Sequence, residues 1–113
     1  MALMDKTVLV TGSSDGVGRY VAERLAAKGW RVIVHGRDRT RGQAVAAQIT
    51  KQGGEARFLA ADLASLAEVR SLADAVWRDS DGLDVLVNNA GIGTSGQRRE
   101  LSTDGYELRF AVN

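Results

Sequence analysis

Thr11-Gly12-Ser13-Ser14-Asp15-Gly16-Val17-Gly18 is the segment whose residue types and spacing point most directly to chemistry. Its three glycines follow an apolar, β-branched run, where a strand would hand over to a helix. Such a turn leaves the first N–H groups of the helix unpaired and pointing outward, with the positive end of the helix dipole behind them, which suits a phosphate. Gly12 would permit the turn, Gly16 would let the backbone approach the ligand, and Gly18 would let the helix lie close on the strand. Ordinary strand-to-helix turns also use glycine, so the context carries the reading. An ATP-type P-loop is excluded, because the Gly-Lys-Ser/Thr ending is absent. The expected ligand is the pyrophosphate of a dinucleotide.

A turn of this kind needs a parallel sheet to present it. Four short runs read as strands: Thr7 to Thr11, Arg31 to His35, Ala56 to Ala60 and Leu83 to Val87. Between them Val17, Val21 and Leu25, then Val45 and Ile49, then Leu66, Val69, Leu72 and Val76 recur at helical spacing and predict three helices, each with one apolar stripe. The strands start too far apart for hairpins and at the right distance for right-handed βαβ crossovers. The expected architecture is α/β, a Rossmann-type doubly wound parallel sheet of strand order 3-2-1-4, with residues 1–113 as one domain. Its ligand would lie across the C-terminal strand ends at the switch point between strands 1 and 4. Gly29, Gly53 with Gly54, and Gly82 fall where the helices should end, and Asp38 and Ser65 where the second and third should begin. Ser102 to Asn113 opens with cap residues and sets Leu108 and Val112 one turn apart, which predicts a fourth helix, cut short.

Composition narrows the function classes. With 15 basic and 14 acidic side chains the net charge is +1, so no broad basic field serves non-specific nucleic-acid binding. The absence of cysteine removes disulfides, thiolate metal sites and a cysteine nucleophile, and no metal site is expected. No apolar run approaches the roughly 18 residues of a membrane span. Met1 to Lys6 lacks the layout of a signal peptide. A cytoplasmic protein with neither membrane nor nucleic-acid partners is therefore expected.

The spacing TGxxxGxG resembles the short-chain dehydrogenase/reductase family. So do Asn88-Asn89-Ala90-Gly91 after the fourth strand, Asp62-Leu63 after the third, and Phe110-Ala111-Val112-Asn113 in the last segment. The resemblance runs from Thr7 to Asn113 and covers the first half of a family member. It implies that Thr11, Gly12, Ser13, Ser14, Asp15, Gly16, Val17 and Gly18 hold the pyrophosphate, and that Asp62 and Leu63 meet the adenine. Asn89, Ala90 and Gly91 would border the ribose and nicotinamide, and Asn113 would belong to the family's catalytic Asn-Ser-Tyr-Lys set. Read alone, Asp62 could cap a short turn, Asn88 and Asn89 could satisfy backbone groups in a buried bend, and Asn113 could be an ordinary helix residue. His35, Trp30 and Trp77 read as packing residues.

The second strand ends His35-Gly36-Arg37. Gly36 stands where an NAD-binding domain would carry a ribose-binding acid, and Arg37 offers a guanidinium fork suited to a 2′-phosphate. NADP(H) is therefore preferred over NAD(H). NAD(H) stays open because Asp38 could act as the ribose acid, and Asp15 stands where several NADP-dependent relatives have a basic residue. The family's Tyr-x-x-x-Lys pair is missing: Tyr20 is followed four residues on by Arg24, and Tyr106 by Phe110. The family's catalytic Ser has no counterpart either.

The favoured reading is the N-terminal part of an NADP(H)-dependent oxidoreductase acting on a small carbonyl or alcohol substrate. Its Ser and Tyr-x-x-x-Lys would lie beyond Asn113, the complete chain would form a homo-oligomer, and these 113 residues alone would be inactive. A truncated, non-catalytic nucleotide-binding or interaction module is the alternative. A methyltransferase-like class is the third reading, and Asn88 to Gly91 speaks against it. The polar loop Gly93 to Glu100 would border the substrate entrance, where Arg98 or Arg99 could attract an acidic substrate or simply be solvated. The apolar fourth strand would leave an open sheet edge.

Overall fold

The computed structural model describes residues 6–79, 81–93 and 99–113. Thr7–Val10 (β1), Arg31–Gly36 (β2), Glu55–Ala60 (β3) and Val85–Val87 (β4) form one parallel sheet in the order β3-β2-β1-β4, as the crossover spacing predicts. Gly16–Ala27 (α1), Arg39–Lys51 (α2) and Leu66–Asp79 (α3) connect them, and Leu108–Val112 (α4) follows.

Alternation along the strands divides the core between two faces. Val8, Val10, Val32 and Val34 pack with Ala22 and Ala26 of α1 and with Val45, Ala46 and Ile49 of α2. Leu9 and Ile33 point the other way, toward Ala61 and toward Leu72 and Val76 of α3. The sheet is covered on both sides, so β1 and β2 are apolar throughout.

Four expectations change in detail. The face of α1 turned to the sheet is the small-residue stripe Gly18, Ala22 and Ala26; Val21 and Leu25 flank it, and Val17 is 72% exposed. Only small side chains allow so close an approach. On α3, Leu72 and Val76 are buried, whereas Leu66 and Trp77 are exposed, so Trp77 is not a packing residue; Trp30 does pack against the core. Strand β4 starts two residues late, at Val85, directly after Asp84, whose side-chain Oδ2 accepts a hydrogen bond from Thr7 N at 2.8 Å.

Helix α4 starts at Leu108 and is capped by Glu107, not by Ser102. The Arg109 amide, then that of Phe110 together with the Arg109 guanidinium, hold the Glu107 carboxyl below its usual pKa. Ser102 instead closes a turn with Tyr106, and Asp104 reaches across to accept a bond from Leu66 N at 2.8 Å at the start of α3. Asp38 and Ser65 do cap α2 and α3, accepting from Arg41 N at 3.1 Å and Glu68 N at 3.3 Å.

Candidate functional site

A hollow of about 720 Å³ opens at the C-terminal ends of β1 and β2 and the start of α1. Of the residues expected at a cofactor site, Gly12, Ser14, Asp15, Gly16, Val17, Gly18, Arg37, Asp62, Leu63, Asn89, Ala90 and Gly91 line it. Gly12 and Gly16 have φ of 63° and 58°, a region that disfavours side chains. A Cβ on Gly16 would meet nothing within 4 Å, so its backbone faces open space. The amides of Gly16, Val17 and Gly18 precede the first intrahelical bond of α1, donated by Arg19 N to Asp15 O at 3.1 Å. Donors of this kind, on the positive end of a helix dipole, can hold an anionic group.

Thr11 and Ser13 stand behind the wall of the hollow and brace it. Thr11 Oγ1 accepts bonds from the amides of Asn89 and Ala90, both at 3.0 Å. The Asn89 side chain returns the contact, donating Nδ2 to the carbonyls of Thr11 and Gly12 at 3.1 Å each. The two glycine-bearing turns are thus stitched together at the switch point between β1 and β4. Gly18 is required here by space, because a Cβ would run into the Gly12 carbonyl and the Asn89 amide. Ser13 is fully buried; its Oγ donates to Val10 O at 2.7 Å and accepts from His35 N at 3.0 Å.

His35, expected as a packing residue, is buried and does more than pack. It is a hydrogen-bonding group. Gly12 N donates to Nδ1 at 3.0 Å, so Nδ1 carries no proton, and Nε2 bears the hydrogen it donates to Ala61 O at 3.0 Å. Burial pushes the imidazole pKa below its ordinary value, an effect the Ala61 bond partly opposes. The available signal was a lone histidine in an otherwise apolar strand, immediately before Gly36.

Charge gathers on the α2 side. Arg37 is exposed and makes no ion pair among the described residues, whereas Arg41, not singled out from sequence, lies 3.5 Å from Asp15 and 3.7 Å from Asp38. All four line the hollow. Asp62 closes its own turn, Oδ1 accepting from Ala64 N at 2.9 Å, while it also lines the hollow. Asn113 lies outside the wall. Its Oδ1 accepts from Ile92 N at 2.8 Å and its Nδ2 donates to Ile92 O at 3.2 Å, which ties α4 to the segment after β4. Arg99 is exposed, and Arg98 lies outside the described residues.

The sequence matches the profile of the family described as short chain dehydrogenase over residues 6–113. The chain belongs to the short-chain dehydrogenase family. It is similar to dehydrogenase/reductase SDR family member 13 of Bos taurus, at 43% identity over 114 residues, covering 99% of this chain and 29% of that protein. The crystal structure of a metagenomic short-chain oxidoreductase in complex with NADP matches with TM-score 0.78 and 38% identity, covering 82% of this chain and 42% of that one. Landomycin C-6 ketoreductase LanV, solved with bound NADP and rabelomycin, matches with TM-score 0.81 and 36% identity, covering 95% of this chain and 46% of the other. The short-chain dehydrogenase chain described here therefore spans from 29% to 46% of the length of these relatives. No described helix is long and apolar enough to cross a membrane.

Proposed function

We propose that residues 1–113 form an NAD(P)-binding domain that holds NADP(H) in the hollow, and that the whole protein is an NADP(H)-dependent oxidoreductase of small carbonyl or alcohol substrates. The observation that carries this reading is the turn from Gly12 to Gly18, whose positive-φ glycines face the unpaired amides of α1 into open space at the strand ends. In the bound state the nicotinamide would supply or accept a hydride. The roles of this chain's residues are to bind and to orient. The amides at the start of α1 would hold the pyrophosphate, Arg37 the 2′-phosphate, Asp62 and Leu63 the adenine, and Asn89 to Gly91 the ribose and nicotinamide side. Arg41 lines the same hollow as Arg37 and would be a second cation for the 2′-phosphate. Asn113 would belong to the catalytic set, whose Ser, Tyr and Lys we assign to the continuation of the protein.

Arg37→Ala tests the cofactor assignment. NADPH affinity should fall at least tenfold, because a charge-assisted contact to phosphate is worth about 1.5–3 kcal/mol, while NADH affinity should change little. Equal losses for the two cofactors, read by fluorescence titration, would refute the assignment of Arg37 to the 2′-phosphate.

A further inference from the structure

We infer that His35 is a positioning residue of the cofactor site: its neutral ring, carrying hydrogen only on Nε2, fixes the phosphate turn against the turn that carries Asp62. This rests on the reading of the hollow as a dinucleotide site. His35 is 2% exposed and uses every polar atom it has. Its amide donates to Ser13 Oγ at 3.0 Å, its carbonyl accepts from Ser13 N at 2.8 Å, Nδ1 accepts from Gly12 N at 3.0 Å, and Nε2 donates to Ala61 O at 3.0 Å. One residue of β2 thereby holds two consecutive residues of the β1–α1 turn and the first residue after β3.

The consequence for the ligand follows from which amide is used. Gly12 N is taken by the ring, so that peptide is fixed by the protein, and the amides left for an anion are those at the start of α1. A packing residue of similar size would leave Gly12 N, at φ 63°, without an acceptor. The ring can do this only while neutral. A second proton would set an Nδ1–H donor against the Gly12 N–H donor, and both cannot occupy one line.

The charged groups around the ring do not supply another partner. Arg37 and Asp38 follow on its own strand end, Asp15 lies on the phosphate turn, Arg41 on α2 and Asp62 beyond Ala61; each lines the hollow with His35. Arg31, at the start of the same strand, and Arg57, on β3, are paired with Glu55 and Asp79. β1 has no titratable side chain. Asp15 and Asp38 are engaged by Arg41.

The test uses the full chain with His35→Asn, which keeps an acceptor near the position of Nδ1 but does not titrate, and His35→Leu, which keeps neither bond. NADP⁺ binding is measured by calorimetry from pH 5.5 to 8. The 2′-phosphate of the ligand itself titrates near pH 6 by analogy with other phosphomonoesters, as in about 6 for phosphoserine. It does so equally for every variant, so the ratio of wild-type to H35N affinity reads the ring alone. At pH 8 H35N should bind within about tenfold of wild type and H35L more weakly than H35N. The wild-type advantage should shrink as pH falls, approaching tenfold per pH unit below the ring's own pKa.

A wild type that gains on H35N in acid because the imidazolium attracts phosphate would overturn the inference, as would a ratio that stays flat through a pH range where imidazole ¹⁵N shifts show the ring taking up its second proton. Failure of wild type to bind NADP⁺ at any pH would instead remove the proposed function. The clamp is then read without ligand, from imidazole ¹⁵N shifts and Gly12 amide exchange. An Nε2–H tautomer with Gly12 exchange faster in H35L upholds the clamp, and an Nδ1–H tautomer or exchange unchanged in H35L refutes it.

Discussion

Single side chains around the hollow differ in how far their type predicts their work. Arg37 was singled out because a guanidinium follows Gly36, and the structure puts it on the hollow, unpaired among the described residues. Arg41 was not, since its position becomes meaningful only when α2 brings it within 3.5 Å of Asp15 on a different element. His35 was read as packing because sequence shows that it sits in an apolar strand, but not that Gly12 and Ala61 lie against its ring nitrogens. The Asp15–Arg41 pair yields a prediction at this scale. Both side chains are mostly exposed, so the pair itself is worth only about 0.2–1 kcal/mol. In the proposed site Asp15 would nevertheless compete with a 2′-phosphate for Arg41 and repel it. Asp15→Asn should tighten NADPH by about 1.5- to 5-fold, the equivalent of that pair energy, leave NADH nearly unchanged, and show a smaller gain at high salt. Equal effects on both cofactors would place Asp15 at the pyrophosphate instead.

At the scale of elements, strands and helices were readable wherever local pattern and burial agree. The valine-rich β1 and β2, and Val45 and Ile49 on α2, fall as their periodicity requires. The misreadings have two causes, a partner distant in sequence for α1 and a nearer competing cap for α4. The α1 stripe was assigned to its largest apolar residues, but the sheet comes close enough to select the smallest. The start of α4 was placed at Ser102, but Glu107 captures the amides of Arg109 and Phe110. Gly18 tests the closeness of α1. Its absent Cβ would overlap the Gly12 carbonyl and the Asn89 amide, both held by hydrogen bonds. Gly18→Ala should therefore cost about 1–3 kcal/mol in chemical denaturation, the usual range for overpacking, and weaken NADP⁺ more than a change remote from the turn. A neutral result would mean that α1 can move outward, and that the stitch between Thr11, Gly12 and Asn89 is looser than its distances indicate.

For the molecule as a whole, β3 and β4 are the two edges of the sheet among the described residues. β1 is paired on both sides, whereas β4 pairs with β1 alone among the described residues. Val85 and Leu86 of β4 are 39% and 49% exposed, and the apolar run Leu83 to Val87 suggested this edge before any coordinates did. An unpaired apolar strand offers a ladder of amides and carbonyls to another chain, and both hydrogen bonding and burial favour its being covered. A polypeptide of residues 1–113 should therefore self-associate through β4, with its weight-average mass rising with concentration in sedimentation equilibrium. Leu86→Lys places a charge on the exposed part of the strand while keeping its backbone register with Leu9. It should weaken that association at least tenfold, because an uncompensated charge must be desolvated when the edge is covered. Association that ignores Leu86→Lys would locate the contact elsewhere, with Trp77 and Phe110, 75% and 78% exposed, the next residues to change. A polypeptide that stays monomeric would show that this short edge, three residues long, is too brief to recruit a partner strand.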